Sequence, residues 1–143
     1  MDELMLDING NLGESSSTNF FFVQNGMLCT PTAKNVLGGI TRATVLPLAA
    51  SLGIKICEGE STPYDLYSAD EAFLTGTSPT ILPVHSLNGL MIGSQLPGPV
   101  TRRLIGAWSK MVNVDIVRQA FSHLDPKDQQ QALEIWPQEK KAA

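Results

Sequence analysis

Two short segments combine glycine with hydroxyl residues in a way that suits anion binding. Gly39-Ile40-Thr41 opens the first clear run of helically spaced apolar residues, and free N–H groups at a helix N-terminus attract negative charge. Gly76-Thr77-Ser78 follows a strand-like apolar stretch, and consecutive N–H groups in such a turn can form an anion nest. Each segment also has an ordinary interpretation, with Thr41 as a helix N-cap and the turn as a plain loop. A phosphate or carboxylate is the ligand that both segments favour.

A carboxylate, Glu14, opens the hydroxyl-rich stretch 15–18 that leads to Asn19. Glutamate is mostly exposed in proteins, so a solvated turn carboxylate is its ordinary interpretation. Asn19 stands at the start of an apolar run, where an asparagine side chain commonly bonds its own backbone. Taken alone, this stretch predicts a polar turn.

Turn signals and apolar periodicity indicate the elements that position these segments. Asn9-Gly10 and Asn25-Gly26 each separate two strand-like runs, and this dipeptide tolerates the positive φ angles of a tight β-hairpin. Apolar residues recur at helical spacing over 41–52, around Pro47, and over 104–112. Strands and helices alternate irregularly, so we expect an α+β fold with a mixed β-sheet.

Composition limits the classes of function. The net charge of −4 and the pI near 5.0 argue against nucleic-acid binding, which needs clustered Lys and Arg. The longest apolar runs fall far short of the roughly 20 residues of a membrane-spanning helix, and the acidic start lacks signal-peptide character, so we expect a cytoplasmic protein. Cys29 and Cys57 have no metal-ligand spacing, which predicts two buried free thiols and no metal site.

Length and composition also suggest a domain boundary. A chain of 143 residues suits one domain with a real core. After Leu124 the sequence turns polar and glutamine-rich. We therefore expect one domain over residues 1–124 and a loose polar tail over 125–143.

The segments described above belong to a composite pattern that resembles the signature of fold-type IV pyridoxal-phosphate enzymes. The three matching pieces, in order and spacing, are Glu14-Ser15-Ser16-Ser17-Thr18-Asn19-Phe20-Phe21, Leu28-Cys29-Thr30 and Leu37-Gly38-Gly39-Ile40-Thr41-Arg42. Further similarity lies at 69–77 and 81–84, so the likeness covers about residues 1–120. The resemblance implies the C-terminal large domain of a branched-chain-aminotransferase-like enzyme, in which a mixed sheet or pseudo-barrel is flanked by helices.

The resemblance also implies roles for the residues that bind pyridoxal 5'-phosphate. Glu14 would pair with the pyridine nitrogen and keep it protonated, so that the ring can withdraw electrons from the substrate. Leu37 would lie against the ring, and the phosphate would be held by Ile40, Thr41 and Thr77.

Substrate contacts and a covalent link are the other implied features. The N–H groups of Thr77 and Ser78 would hold the substrate carboxylate, although Pro79, where the commonest pattern has alanine, has no N–H. The family's Schiff-base lysine lies upstream of the position of Glu14. None of the thirteen residues before Glu14 is lysine. We therefore expect no catalytic residue of this kind and little or no turnover in the isolated chain.

Three interpretations of function remain open at this point. The first is amino-group transfer between an amino acid, of branched-chain type, and a 2-oxo acid, by a longer homodimeric enzyme of which these residues are part. The second is an aminodeoxychorismate lyase or a D-amino-acid aminotransferase, which share the cofactor shell. The third is a non-catalytic structural or partner-binding domain, which the absent lysine favours.

Overall fold

The structure is a computed structural model that describes residues 2–136. Its strands are β1 (Leu4–Leu6), β2 (Leu12–Ser15), β3 (Asn19–Gln24), β4 (Met27–Thr30), β5 (Lys55–Glu58), β6 (Glu71–Gly76), β7 (Thr80–Pro83), β8 (Ser86–Leu87) and β9 (Leu90–Met91). Its helices are α1 (Ile40–Ser51), α2 (Pro63–Tyr67), α3 (Pro99–Val112), α4 (Ile116–Phe121) and α5 (Pro126–Ile135). The chain forms two compact units, Met1–Leu104 and Ile105–Ala143.

Both predicted hairpins are confirmed. β1 pairs antiparallel with β2, and β3 pairs antiparallel with β4. The turns contain Gly10 with φ of 83°, and Asn25 and Gly26 with φ of 52° and 72°. Positive φ is cheap for glycine and tolerable for asparagine, which explains why these dipeptides end the strands.

A five-stranded sheet in the order β5-β4-β3-β6-β7 organises the first unit. The β4–β5 pair is parallel and the other pairs are antiparallel, so the predicted α+β class with a mixed sheet is confirmed. The pseudo-barrel is not observed: among residues 2–136 the sheet is open, with β5 and β7 at its edges. A sheet closes into a barrel only when its first and last strands pair with each other. In the described residues β5 and β7 do not pair.

The core covers both faces of this sheet. On one face Phe21 and Phe73 are register partners with stacked rings 5.1 Å apart, and α1 contacts β5 and β6. On the other face Phe20 and Phe22, 6.2 Å apart, join a cluster that includes Leu66 of α2. Burying one such aromatic side chain contributes about 1.5–3 kcal/mol. The fully apolar 20–23 run therefore anchors the central strand from both sides.

Glu71 of β6 caps helix α3. Its buried carboxylate accepts hydrogen bonds from the N–H groups of Val100 (2.8 Å) and Thr101 (2.8 Å) and from the Thr101 hydroxyl (2.7 Å). A Cβ on Gly98 would lie 2.2 Å from the Glu71 side chain, so glycine is required there. The carboxylate satisfies N–H groups that a helix leaves unpaired at its start.

The second unit is helical. Asp115 accepts a hydrogen bond from the N–H of Arg118 (3.0 Å) and caps α4, and α4 contacts α5. Helix α5 lies within the 125–143 segment expected to be a loose tail. Pro126 at its first turn suits a helix start, a signal that the polar composition obscured. Residues 137–143 of that predicted tail lie outside the described residues.

None of the helices in residues 2–136 has the length and apolar character needed to cross a bilayer. Over the same residues, no three His, Cys, Asp or Glu side chains are grouped so that they would bind a metal ion. Cys29 is buried as expected, whereas Cys57 is exposed, so the prediction of two buried thiols is wrong for Cys57. The reason is that β5 is an edge strand and leaves that side chain uncovered.

We expect Glu71→Gln to lower the free energy of unfolding by about 1–3 kcal/mol, because it removes the charge that holds the start of α3. Urea denaturation followed by circular dichroism measures the effect. Glu60→Gln, at an exposed position, is the matched control and should change stability by less than about 0.5 kcal/mol. Equal, small changes in both variants would contradict the capping role.

Candidate functional site

A cavity of about 330 Å³ lies in the first unit, and three separate chain segments line it. They are residues 14–19, 37–41 and 75–77. Its volume falls within the range of small-molecule sites, roughly 300–1,000 Å³. The segments singled out in the sequence for anion binding, and the carboxylate Glu14, therefore share one cavity.

Strand pairing brings the first and third segments together. Asn19 and Thr75 are register partners in the antiparallel β3–β6 pair, so the turns next to them lie at the same end of the sheet. A Cβ on Gly76 would lie 3.0 Å from Cγ2 of Thr18, which shows how closely the two segments approach. The sheet register fixes this wall of the cavity.

The Asn19 side chain joins the first segment to the second. Its Nδ2 donates to Oε2 of Glu14 and to the Leu37 carbonyl, each at 2.8 Å, and the residue is buried. The expectation that Asn19 bonds its own backbone is wrong, because strand pairing turns the side chain toward a distant loop. Asn19 is thus a positioning residue that local sequence reasoning missed.

The Glu14 carboxylate is held from two directions. Besides Asn19, the Leu37 N–H donates to both of its oxygens, at 3.0 and 3.1 Å. Glu14 is only partly exposed, so it is not a freely solvated turn residue. Within the described part of the chain Oε1 accepts only the Leu37 N–H, so its second lone pair leaves acceptor capacity for a donor group in the cavity.

The N-terminus of α1 forms another part of the wall. Gly39 is the N-cap, and no side chain of the described residues caps the helix, so Thr41 is not the N-cap; it lies inside the first turn and is buried. The first intrahelical bond runs from the Ala43 N–H to the Gly39 carbonyl at 2.9 Å. The N–H groups before Ala43 therefore have no intrahelical acceptor.

Apolar and hydroxyl side chains complete the lining. Leu37 and Ile40 are 74% and 82% exposed, which is unusual for such residues. Within residues 2–136, the hydroxyls of Thr18 and Thr75 are buried and make no hydrogen bond. A buried hydroxyl without a partner costs free energy, so a ligand with acceptor oxygens would find unused donors here.

The third segment contributes only part of what was expected of it. Thr77 lines the cavity, whereas Ser78 is not part of the lining. Both side chains are exposed, and β7 begins at Thr80 with φ of 57°. The chain therefore reverses direction within a few residues after Thr77 and leaves the wall of the cavity.

Arg42 connects α1 to the edge of the sheet. Its guanidinium donates to the Pro31 carbonyl at 3.0 Å and forms an ion pair with Glu58 of β5 at 2.6 Å. Arg42 itself is buried. It holds the first turn of α1 against the sheet edge and so sets the position of residues 39–41, a role that no sequence spacing indicated.

Comparison with known proteins assigns the chain and its fold to a family. The family described as Amino-transferase class IV matches residues 1–87. The chain belongs to the class IV aminotransferase family. The resemblance that the sequence analysis inferred from residues 14–42 was to this family of enzymes. The match confirms that resemblance.

Similar proteins include branched-chain-amino-acid aminotransferases from Pseudomonas aeruginosa and Escherichia coli K12. The first is 40% identical over 112 residues, which cover 78% of this chain and 36% of that protein. The second is 41% identical over 102 residues, which cover 71% of this chain and 33% of that protein. The chain thus spans about a third of the length of these relatives.

Solved structures agree with the sequence matches. The Escherichia coli branched-chain amino acid aminotransferase has a TM-score of 0.75 at 39% identity, covering 77% of this chain and 36% of that chain. Another branched-chain amino acid aminotransferase, solved with pyridoxamine 5'-phosphate, has a TM-score of 0.71 at 35% identity, covering 76% of this chain and 36% of that one. The described fold is therefore that of the class IV aminotransferases.

We expect Gly39→Ala to disrupt the Asn19 contacts, because the new Cβ would lie 2.1 Å from Oδ1 of Asn19. The asparagine must turn away and lose its two hydrogen bonds, at a cost of about 1–3 kcal/mol in the free energy of unfolding. Gly38→Ala is the control, since none of the described atoms lies within 4 Å of its Cβ. Urea titrations and the NMR shifts of the Asn19 side-chain amide measure both variants, and an unmoved Asn19 amide in Gly39→Ala would contradict the contact.

Proposed function

We propose that this chain provides the pyridoxal 5'-phosphate site of an enzyme that transfers an amino group between an amino acid and a 2-oxo acid. The observation that carries the proposal is the convergence of Glu14, the uncapped N-terminus of α1 and Thr77 on one cavity. Glu14 suits the ring nitrogen of the cofactor, the helix start and Thr77 suit its phosphate, and Leu37 and Ile40 in the same lining suit the face of its ring. The family and the pyridoxamine 5'-phosphate held by a similar structure support the same cofactor.

The phosphate would lie at the start of α1. The N–H groups of Ile40 and Thr41, the Thr41 side chain and Thr77 would donate hydrogen bonds to its oxygens, and the helix dipole would favour its charge. The two long helices that begin in the first unit differ in this respect. Glu71 already supplies a negative group to α3, whereas α1 has no side-chain cap among the described residues. An external anion therefore suits α1.

The ring would lie between Glu14 and the exposed apolar side chains. Leu37 and Ile40 would contact its face and remove apolar surface from water. Glu14, oriented by Asn19 and the Leu37 N–H, would accept a hydrogen bond from the protonated ring nitrogen and stabilise its positive charge. The bound cofactor supplies the electron-withdrawing chemistry, and these residues hold it in place and maintain its protonation.

The substrate is proposed to be a branched-chain amino acid with a 2-oxo acid as its partner. The support is that the similar proteins named above are branched-chain-amino-acid aminotransferases, which favours this reaction over the lyase and the D-amino-acid enzyme. Of the two residues that the resemblance gave to the substrate carboxylate, Thr77 lines the cavity and its N–H would hold that group, whereas Ser78 lies outside the lining. The homodimer and the cytoplasmic location inferred from sequence stay predictions.

The non-catalytic interpretation draws on one observation. Among residues 2–136 no lysine lines the cavity, although the chemistry needs a lysine amine to bind the cofactor covalently and to move a proton. We therefore propose that these 143 residues bind the cofactor without a covalent link and carry out no turnover by themselves, while the amine comes from the rest of a longer enzyme.

We expect Glu14→Gln and Thr41→Val each to weaken pyridoxal 5'-phosphate binding by about tenfold or more, since each removes one polar contact worth about 1.4 kcal/mol or more. Equilibrium dialysis of the chain with pyridoxal 5'-phosphate measures the dissociation constants. Glu60→Gln, outside the cavity, is the matched control and should bind like the unchanged chain. Unchanged affinity in both site variants would contradict the proposed cofactor site.

We expect borohydride treatment of the chain with bound pyridoxal 5'-phosphate to leave the cofactor removable by dialysis, because the cavity lining in the described part of the chain contains no lysine. Mass spectrometry of the treated chain measures this, and an assay with leucine and 2-oxoglutarate should show no amino transfer. A cofactor fixed to one lysine, together with turnover, would show that the chain is catalytically complete. Aminodeoxychorismate as the alternative substrate separates the lyase from the aminotransferase in the longer enzyme.

A further inference from the structure

The two cysteines face each other across neighbouring strands, away from the cofactor cavity. Cys29 of β4 and Cys57 of β5 are direct register partners in the parallel pair. Adjacent strands lie about 4.8 Å apart, which is within the Cα separation of about 4.4–6.8 Å that a disulfide requires. The register and the strand spacing are therefore compatible with a disulfide between these two residues.

The two thiols differ in their surroundings. Cys57 is exposed on the edge strand, where a small oxidant can reach it. Cys29 is buried beside Phe22 and Leu66 in the core cluster, and its thiol donates to the Met27 carbonyl at 3.7 Å. The pair thus combines an accessible thiol with a protected one behind it.

We propose that Cys29 and Cys57 form a two-thiol modification site at which a small disulfide oxidant, such as oxidised glutathione, joins β4 to β5. The Cys57 thiolate attacks the oxidant, forms a mixed disulfide and releases one small thiol. The Cys29 thiol then loses its proton, its sulfur attacks the Cys57 sulfur, and the second small thiol leaves. The protein loses two electrons and two protons, which the two released thiols carry.

The disulfide would enclose the chain from Cys29 to Cys57. This loop contains α1 and residues 37–41, which form one wall of the cavity. A cross-link over such a loop restricts the unfolded chain and raises stability. The oxidised chain is expected to unfold at a temperature higher by roughly 10 °C.

The test uses the full chain with oxidised glutathione, followed by intact-mass measurement and non-reducing peptide mapping. The expected product is a monomer lighter by two hydrogen atoms, with the Cys29 and Cys57 peptides linked and a raised melting temperature. Cys29→Ala should stop at the glutathione adduct on Cys57, and Cys57→Ala should remain unmodified, with circular dichroism checking that each variant is folded. A glutathione adduct that persists on Cys57 of the unchanged chain, or a disulfide between two chains, would overturn the proposal.

The pH dependence of ring closure tests the role of the buried thiol. Burial raises the pKa of Cys29 to about 11, and the neighbouring Cys57 on β5 and Asp65 on α2 act in the same direction. The reactive thiolate is therefore scarce near neutral pH, and the rate of the second step should rise about tenfold per pH unit between about pH 7 and pH 9. Quenched mass spectrometry gives this rate, and a rate independent of pH would contradict attack by Cys29.

Discussion

The buried side-chain amide of Asn19 is the contact on which the site depends. Its Nδ2 donates to the Glu14 carboxylate, five residues before it, and to the Leu37 carbonyl, eighteen residues after it. Hydrogen bonds to a charged acceptor are among the stronger ones in proteins. Because Asn19 also belongs to the central strand β3, the sheet fixes the amide, and the amide fixes Glu14 and Leu37.

Two glycines, each just before a long helix, allow a side chain from another part of the chain to approach the backbone closely. Gly39 leaves room for the Asn19 side chain, and Gly98 leaves room for Glu71. The two helix N-termini nevertheless have different surroundings. The start of α3 is satisfied by a carboxylate of its own unit, whereas the start of α1 opens on the cavity. Electrostatics therefore distinguishes a structural helix start from one that is available to an anion.

Rigidity around the cavity comes from the sheet and from one buried cation. Arg42 connects the first turn of α1 to the chain after β4 and to β5, while the Asn19–Thr75 register connects β3 to β6. Binding sites are more precise when they are supported by regular elements. The Gly76–Thr80 register connects β6 to β7 on either side of the next turn, and of that turn only Thr77 lines the cavity.

The sequence by itself determined the hairpins, the mixed α+β class, the start of α1 and the family signature, because turn dipeptides, apolar periodicity and motif spacing are local properties. It indicated Glu14, Thr41 and Thr77 as separate polar groups, and the resemblance gave them a common purpose. Only the tertiary structure decided that the sheet is open, that Asn19 binds Glu14 and Leu37, and that Cys57 is exposed. These features depend on which distant strands pair and which strand forms an edge, and no local pattern carries that information.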